Sequence, residues 1–124
     1  MTCVNILPKQ QQQEGGTPWH LDATAPSVAE SEVEILTFTV PASTTRTIER
    51  IIGTACCEGV FQLKDGIDIL ATFATTPSNF TKEFKFDPGL PIASGKTIKL
   101  FFTANEDSPV VDVYGHVMGR DQAN

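Results

Sequence analysis

Val60-Phe61-Gln62-Leu63-Lys64-Asp65-Gly66-Ile67-Asp68-Ile69-Leu70 is the stretch that decides the fold. Val60, Phe61 and Leu63 lead into Lys64-Asp65-Gly66-Ile67, and Ile67, Ile69 and Leu70 lead out. An Asp-Gly pair between two apolar runs predicts a two-residue hairpin, because aspartate and glycine tolerate the positive φ of a primed turn and that turn matches the twist of its strands.

Downstream, Phe80, Phe84 and Phe86 fall on one predicted strand face, while Thr81, Glu83 and Lys85 fall on the other, which predicts a phenylalanine row in the core. Asp87-Pro88-Gly89 then reads as a turn, with Leu90 and Ile92 packing beneath it. Ser94-Gly95 opens a run in which Ile98, Leu100 and Phe102 point together, and Val110 to Met118 closes the domain on Val111, Val113 and Val117. Upstream, Val33 to Val40 alternates on Val33 and Ile35 and then shifts to Leu36, Phe38 and Val40, which predicts a bulge. Thr45 to Cys57 is Thr- and Ile-rich and interrupted by Gly53, so it reads as a strand bent across a sandwich corner. Seven or eight short strands within about 85 residues predict an all-β, two-sheet antiparallel β-sandwich of jelly-roll type. The immunoglobulin alternative lacks its marks, since Trp19 precedes the first of these strands and no cysteine lies late in the chain.

At 124 residues the chain is one domain by length, long enough for an independent core. Residues 1–32 read as an extended N-terminal arm, 33–118 as the sandwich and 119–124 as a frayed polar tail. The arm assignment rests on the run from Gln10 to Gln13, on Gly15, Gly16, Pro18 and Pro26, and on a scarcity of branched apolar residues to offset ordering entropy. It carries two apolar islands: Val4, Ile6 and Leu7, and then Trp19 and Leu21 around His20. The lone tryptophan either packs back on its own domain or docks on another protein. The expectation is that Val4, Ile6, Leu7, Trp19 and Leu21 carry partner binding.

A net charge of −6 with scattered lysines argues against nucleic acid and against an anionic membrane as partners. Val4, Ile6 and Leu7 run straight into Pro8 and glutamines, which is not the pattern of a secretion signal, so folding in a cytosol is expected. Cys3, Cys56 and Cys57 form no disulfide framework and are expected to be reduced, one of them as a buried apolar thiol. No spacing of these thiols with His20 or His116 matches a zinc site, so no metal and no cofactor are expected. Glu49, Glu58, Glu83, Asp68 and Asp112 read as solvated charges rather than a glycosidase pair, and no serine sits in a nucleophile elbow, so no catalytic residue is assigned. Asp65 with Asp68, and Glu106 with Asp107, read as turn acidity rather than calcium ligands. Tyr114, Asp112 and His116 share a strand face that reads either as a small polar binding patch or as an ordinary solvated or intersubunit surface.

The segment from Phe84 through Asp87-Pro88-Gly89-Leu90-Pro91-Ile92-Ala93-Ser94-Gly95 to Leu100 resembles small jelly-roll virion proteins of tailed bacteriophages. Leu63-Lys64-Asp65-Gly66 and the passage of Val40-Pro41-Ala42 into a Thr-rich strand are similar to the same group, over about residues 33–118. The resemblance implies a non-enzymatic capsid decoration (cement) protein that binds the major capsid protein or other virion proteins, often as a homotrimer. Its alternative is a tail or fibre module that binds a host receptor or carbohydrate. Either is assembled in the host cytoplasm and resides in the virion.

Overall fold

The computed structural model describes residues 16–106 and 108–124. Eight strands follow one another: β1 (Thr17–Pro26), β2 (Glu32–Thr39), β3 (Thr44–Ala55), β4 (Gly59–Asp65), β5 (Asp68–Thr75), β6 (Thr81–Ile92), β7 (Thr97–Ala104) and β8 (Asp112–Ala123). They form two four-stranded antiparallel sheets, ordered β1-β8-β3-β6 and β2-β7-β4-β5, packed face to face as a β-sandwich. The first strand pairs with the last, the second with the second-to-last, and so inward to the β4–β5 hairpin. The ladders β3·β8 and β4·β7 then join neighbouring pairs within each sheet.

The hairpin forms where the sequence places it, with a correction of one residue. Asp65 pairs with Asp68, so Gly66 and Ile67 are the turn residues, and Gly66 supplies the positive φ of 64° at the first of them. That is the glycine-first form of the primed turn. In β2 the pairing with β7 shifts between Glu34 and Leu36, and Ile35 and Leu36 are both buried, as a bulge requires.

A second bulge governs the other sheet. The register of β3 shifts between Ile48 and Arg50 against both β6 and β8, leaving Glu49 as the extra residue. Before it, Arg46 and Ile48 point inward; after it, Ile51, Gly53 and Ala55 do. Strict alternation would instead have driven Arg50 into the core. Opposite Glu49, the residues from Phe86 to Gly89 loop out of register, so Asp87-Pro88-Gly89 does not end a strand: β6 resumes with Leu90 beside Ile48 and Ile92 beside Arg46. Gly53 likewise marks no corner. A Cβ there would lie 2.7 Å from the Phe61 ring, so glycine is what lets that ring lie against β3.

Ile98, Leu100, Phe102, Val113 and Val117 are buried as expected. Phe84 and Phe86 are only half-buried against the core margin, and Phe80 stands outside β6 and is exposed. Cys57 is buried and Cys56 exposed, both as free thiols, and burial raises the pKa of the Cys57 thiol.

The arm and the tail are corrected most. Residues 17–26 form β1, a full ladder partner of β8 from Thr17↔Asp121 to Pro26↔Asp112. Trp19, Leu21, Ala23 and Ala25 face the core in alternation with His20, Asp22 and Thr24, and Pro18 and Pro26 sit near the ends of an edge strand, where a missing N–H is tolerated. Gly119 through Ala123 continue β8, with Arg120, Asp121 and Gln122 opposite Thr47, Arg46 and Thr45. Asn124 accepts from Thr45 Oγ1 at 2.6 Å and donates its N–H to Ser43 O at 3.0 Å, so the chain end is tied down.

The first and last strands meet at one side chain. Arg46 Nε and Nη2 donate to the two Asp121 carboxylate oxygens at 2.6 and 2.7 Å, a bidentate pair whose arginine is only 5% exposed. The guanidinium lies 3.8 Å from the Trp19 ring centroid and 5.3 Å from that of Phe38, and the two rings are 4.7 Å apart. A planar, weakly hydrated cation suits this slot better than an ammonium would.

Replacing Asp121 by Ala leaves that cation buried and unpaired. Stability should fall by about 3 kcal/mol, the lower end for breaking a buried pair because the carboxylate is partly solvated. Urea denaturation followed through Trp19 fluorescence reads it, and a loss under about 1 kcal/mol, typical of an exposed pair, contradicts the assignment. A chain starting at residue 33 should lack cooperative unfolding, because one edge of its sheet is gone.

Candidate functional site

Of the residues expected to bind a partner, Trp19 and Leu21 point inward from β1 and pack on the core of their own domain. That expectation is corrected: the burial that would drive docking is already realised within the sandwich. Val4, Ile6 and Leu7 lie outside the described residues.

The same alternation that turns Trp19 inward turns the polar residues of β1 outward. The register then lays them beside those of β8 and β3: His20 beside Met118 and Arg50, Asp22 beside His116 and Ile52, Thr24 beside Tyr114 and Thr54. The result is a continuous patch on the outer face of the β1-β8-β3-β6 sheet. Tyr114 and His116 belong to it, as the sequence suggests. Asp112 opens β8 at its margin, and Tyr114 OH donates instead to Asp22 Oδ2, at 3.2 Å. Asp22 and His20 escape a reading that treats residues 1–32 as an arm, and Arg50 and Met118 join the patch only through the register of β3 and β8. The period-two pattern of Trp19, Leu21, Ala23 and Ala25 is the signal that could have found the first two.

Electrostatically the patch is a chain of coupled groups. Arg50 Nη2 and Nε reach Met118 Sδ at 3.0 and 3.2 Å, and Arg50 Nη1 pairs with Glu83 Oε2 at 2.9 Å. The His20 and His116 rings meet edge to face at 5.3 Å, with Tyr114 on the far side of His116 at 6.3 Å. His116 Nε2 is buried and has no hydrogen-bond partner among the described residues. Burial lowers the His116 pKa; Asp22 opposes that shift, while His20 and Arg50 reinforce it. Burial, the Asp22 charge and its hydrogen bond all raise the Tyr114 pKa.

At neutral pH the patch therefore presents a neutral imidazole and an un-ionised phenol, which suits hydrogen-bonded recognition. Elsewhere, Glu49 is paired with Arg120 at 2.9 Å and Asp65 with Lys96 at 3.3 Å. Among the described residues no three His, Cys, Asp or Glu side chains converge to hold a metal ion. A shallow polar depression lined by Glu30, Thr103, Ala104, Asn105 and Glu106 opens at the end of the sandwich beside the β7–β8 connection. No protein-family model and no curated protein matches the chain.

The depressed His116 pKa sets a pH dependence. The unfolded imidazole titrates near about 6.5. Below that pH the unfolded chain takes up more protons than the folded one, so the stability involved is complete above it and is lost on acidification toward the lower folded value. Thermal melts from about pH 7.5 to 5.5 should show a larger fall in Tm for the native chain than for His116→Gln. Parallel curves contradict the coupling of His116 to the fold.

Proposed function

We propose that this chain is a structural protein of a bacteriophage virion, foremost a capsid decoration protein docking on the major capsid protein, assembled in the host cytoplasm and performing no catalytic step. The observation that carries the proposal is the strand pairing. First with last, nested down to one central hairpin, and split into β1-β8-β3-β6 and β2-β7-β4-β5, this order supports the jelly-roll reading, in which a ribbon of antiparallel strands is wrapped on itself. That architecture recurs in viral capsid and lectin domains, and the inference from it to a virion role is one of analogy between folds.

Two physical features suit the role. The first and last strands are joined at the Arg46 cluster, so the sandwich docks as a rigid body with little ordering cost. The outer patch on β1, β8 and β3 offers polar recognition groups on a surface supported by paired strands. That patch also supports the second reading, a tail or fibre module recognising a receptor or carbohydrate through Tyr114, Asp22 and His20.

Purified particles decide between them. Decoration predicts the chain on the particle in many copies spread over the shell, removable by mild stripping and restored on re-addition. A handful of copies, confined to the tail, supports the second reading. Absence from assembled particles contradicts both.

A further inference from the structure

The four strands at the sheet margins are β1, β6, β2 and β5, and three of them carry prolines or repeated charges that discourage pairing with another chain. β1 has Pro18 and Pro26; β6 has Pro88, Pro91 and the charges of Lys82, Glu83, Lys85 and Asp87; β2 has Glu32, Glu34 and a bulge. Prolines, edge charges and bulges are the usual means of blunting an exposed ladder. β5 has Asp68 at its first residue and one bulge at Leu70, where the pairing with β4 steps from Leu63↔Ala71 to Lys64↔Ile69, and none of them from Ala71 to Thr75. Ile69-Leu70-Ala71-Thr72-Phe73-Ala74-Thr75 contains no charge, no proline and no glycine, and among the described residues it pairs on one side only, with β4.

The surroundings of this edge are apolar as well. Ile67 and Ile69, at its hairpin end, are 95% and 54% exposed. An aromatic row runs from the core out to the same margin, Phe61 to Phe73 at 5.0 Å, Phe73 to Phe84 at 6.1 Å and Phe84 to Phe86 at 5.0 Å, and its outer members are only half-buried. A bare backbone ladder beside an unfinished apolar seam fits an extended strand better than a globular knob.

We propose that the free edge of β5 is a homotypic contact, pairing antiparallel with β5 of a second copy across a two-fold axis to make one continuous eight-stranded sheet. The choice of a second copy rests on charge. Each copy carries a net −6, so most surfaces repel their own kind, and an isologous contact sets every residue against symmetry-related residues of the same strand. From Ile69 to Thr75 no register of self-pairing brings like charges face to face. The contact would also cover Leu70, Phe73, Phe84 and Phe86 with their symmetry mates.

Sedimentation equilibrium of the full chain tests this. The native chain should reach the mass of two copies with rising concentration, or an even multiple where other contacts act. Thr72→Lys, on the exposed outer face of β5, should lower that mass to one copy, or halve a larger assembly, with an unchanged circular dichroism spectrum. Mixing it with Thr72→Glu should restore the larger mass. A native chain that stays monomeric, or a trimer or other assembly indifferent to Thr72→Lys, overturns the proposal. Should the lysine disturb the fold, amide exchange of the native chain at two concentrations serves instead: β5 amides must be more protected at the higher one, and equal protection overturns the contact.

Discussion

The buried Arg46 guanidinium holds the first and last strands in one sandwich. Its fork takes both carboxylate oxygens of Asp121 from β8, and its face lies on Trp19 from β1 and beside Phe38 from β2. Four strands from both sheets therefore converge on one side chain, and the geometry allows no separate solution for any of them. A cation in such a slot is expensive to desolvate, and its bidentate partner and the aromatic faces offset that cost. Its structural return is specificity: shifting β8 by one residue against β3 would place Arg120 or Gln122 where Asp121 must be.

Arg46 can occupy that place only because β3 is bulged. The extra residue at Glu49 reverses the inward parity, so one strand presents Arg46 and Ile48 at one end of the core and Ile51, Gly53 and Ala55 along the rest. Gly119 belongs to the same arrangement, since a Cβ there would collide with the Thr47 carbonyl beside the bulge. Outside the core the bulge frees Glu49 to meet Arg120. Packing at the Arg46 cluster and the form of the outer surface thus share one backbone irregularity.

How legible this is in the sequence depends on where each strand's partners come from. The β4–β5 hairpin is local, and its turn chemistry identifies it. The bulge in β2 shows as adjacent apolar residues, Ile35 and Leu36, and the rows of β7 and β8 show as plain alternation. The ends are different. Trp19 to Ala25 do alternate, but glutamine, glycine and proline nearby hide the pattern, and Gly119 to Ala123 carry no apolar signal because their ladders are supplied by β1 and β3 from far along the chain. Nothing local in the sequence marks Arg46 as buried, because its aromatic neighbours Trp19 and Phe38 come from other strands. The outer patch is half visible through Tyr114 and His116 and incomplete for the same reason, as its Asp22 and His20 lie on β1, whose surrounding composition is that of an arm.

A module whose first and last strands are locked into the same sheet moves as one body, and the functional reading depends on that rigidity. Native-state amide hydrogen exchange tests it most directly. If the Arg46 cluster closes the fold, amides of β1 paired with β8 and those of β8 from Gly119 to Gln122 should open only with global unfolding, at the same free energy as the centre of β3. Exchange of those segments through local fraying, several kcal/mol below that value, would contradict the account and return residues 17–26 to the status of an arm.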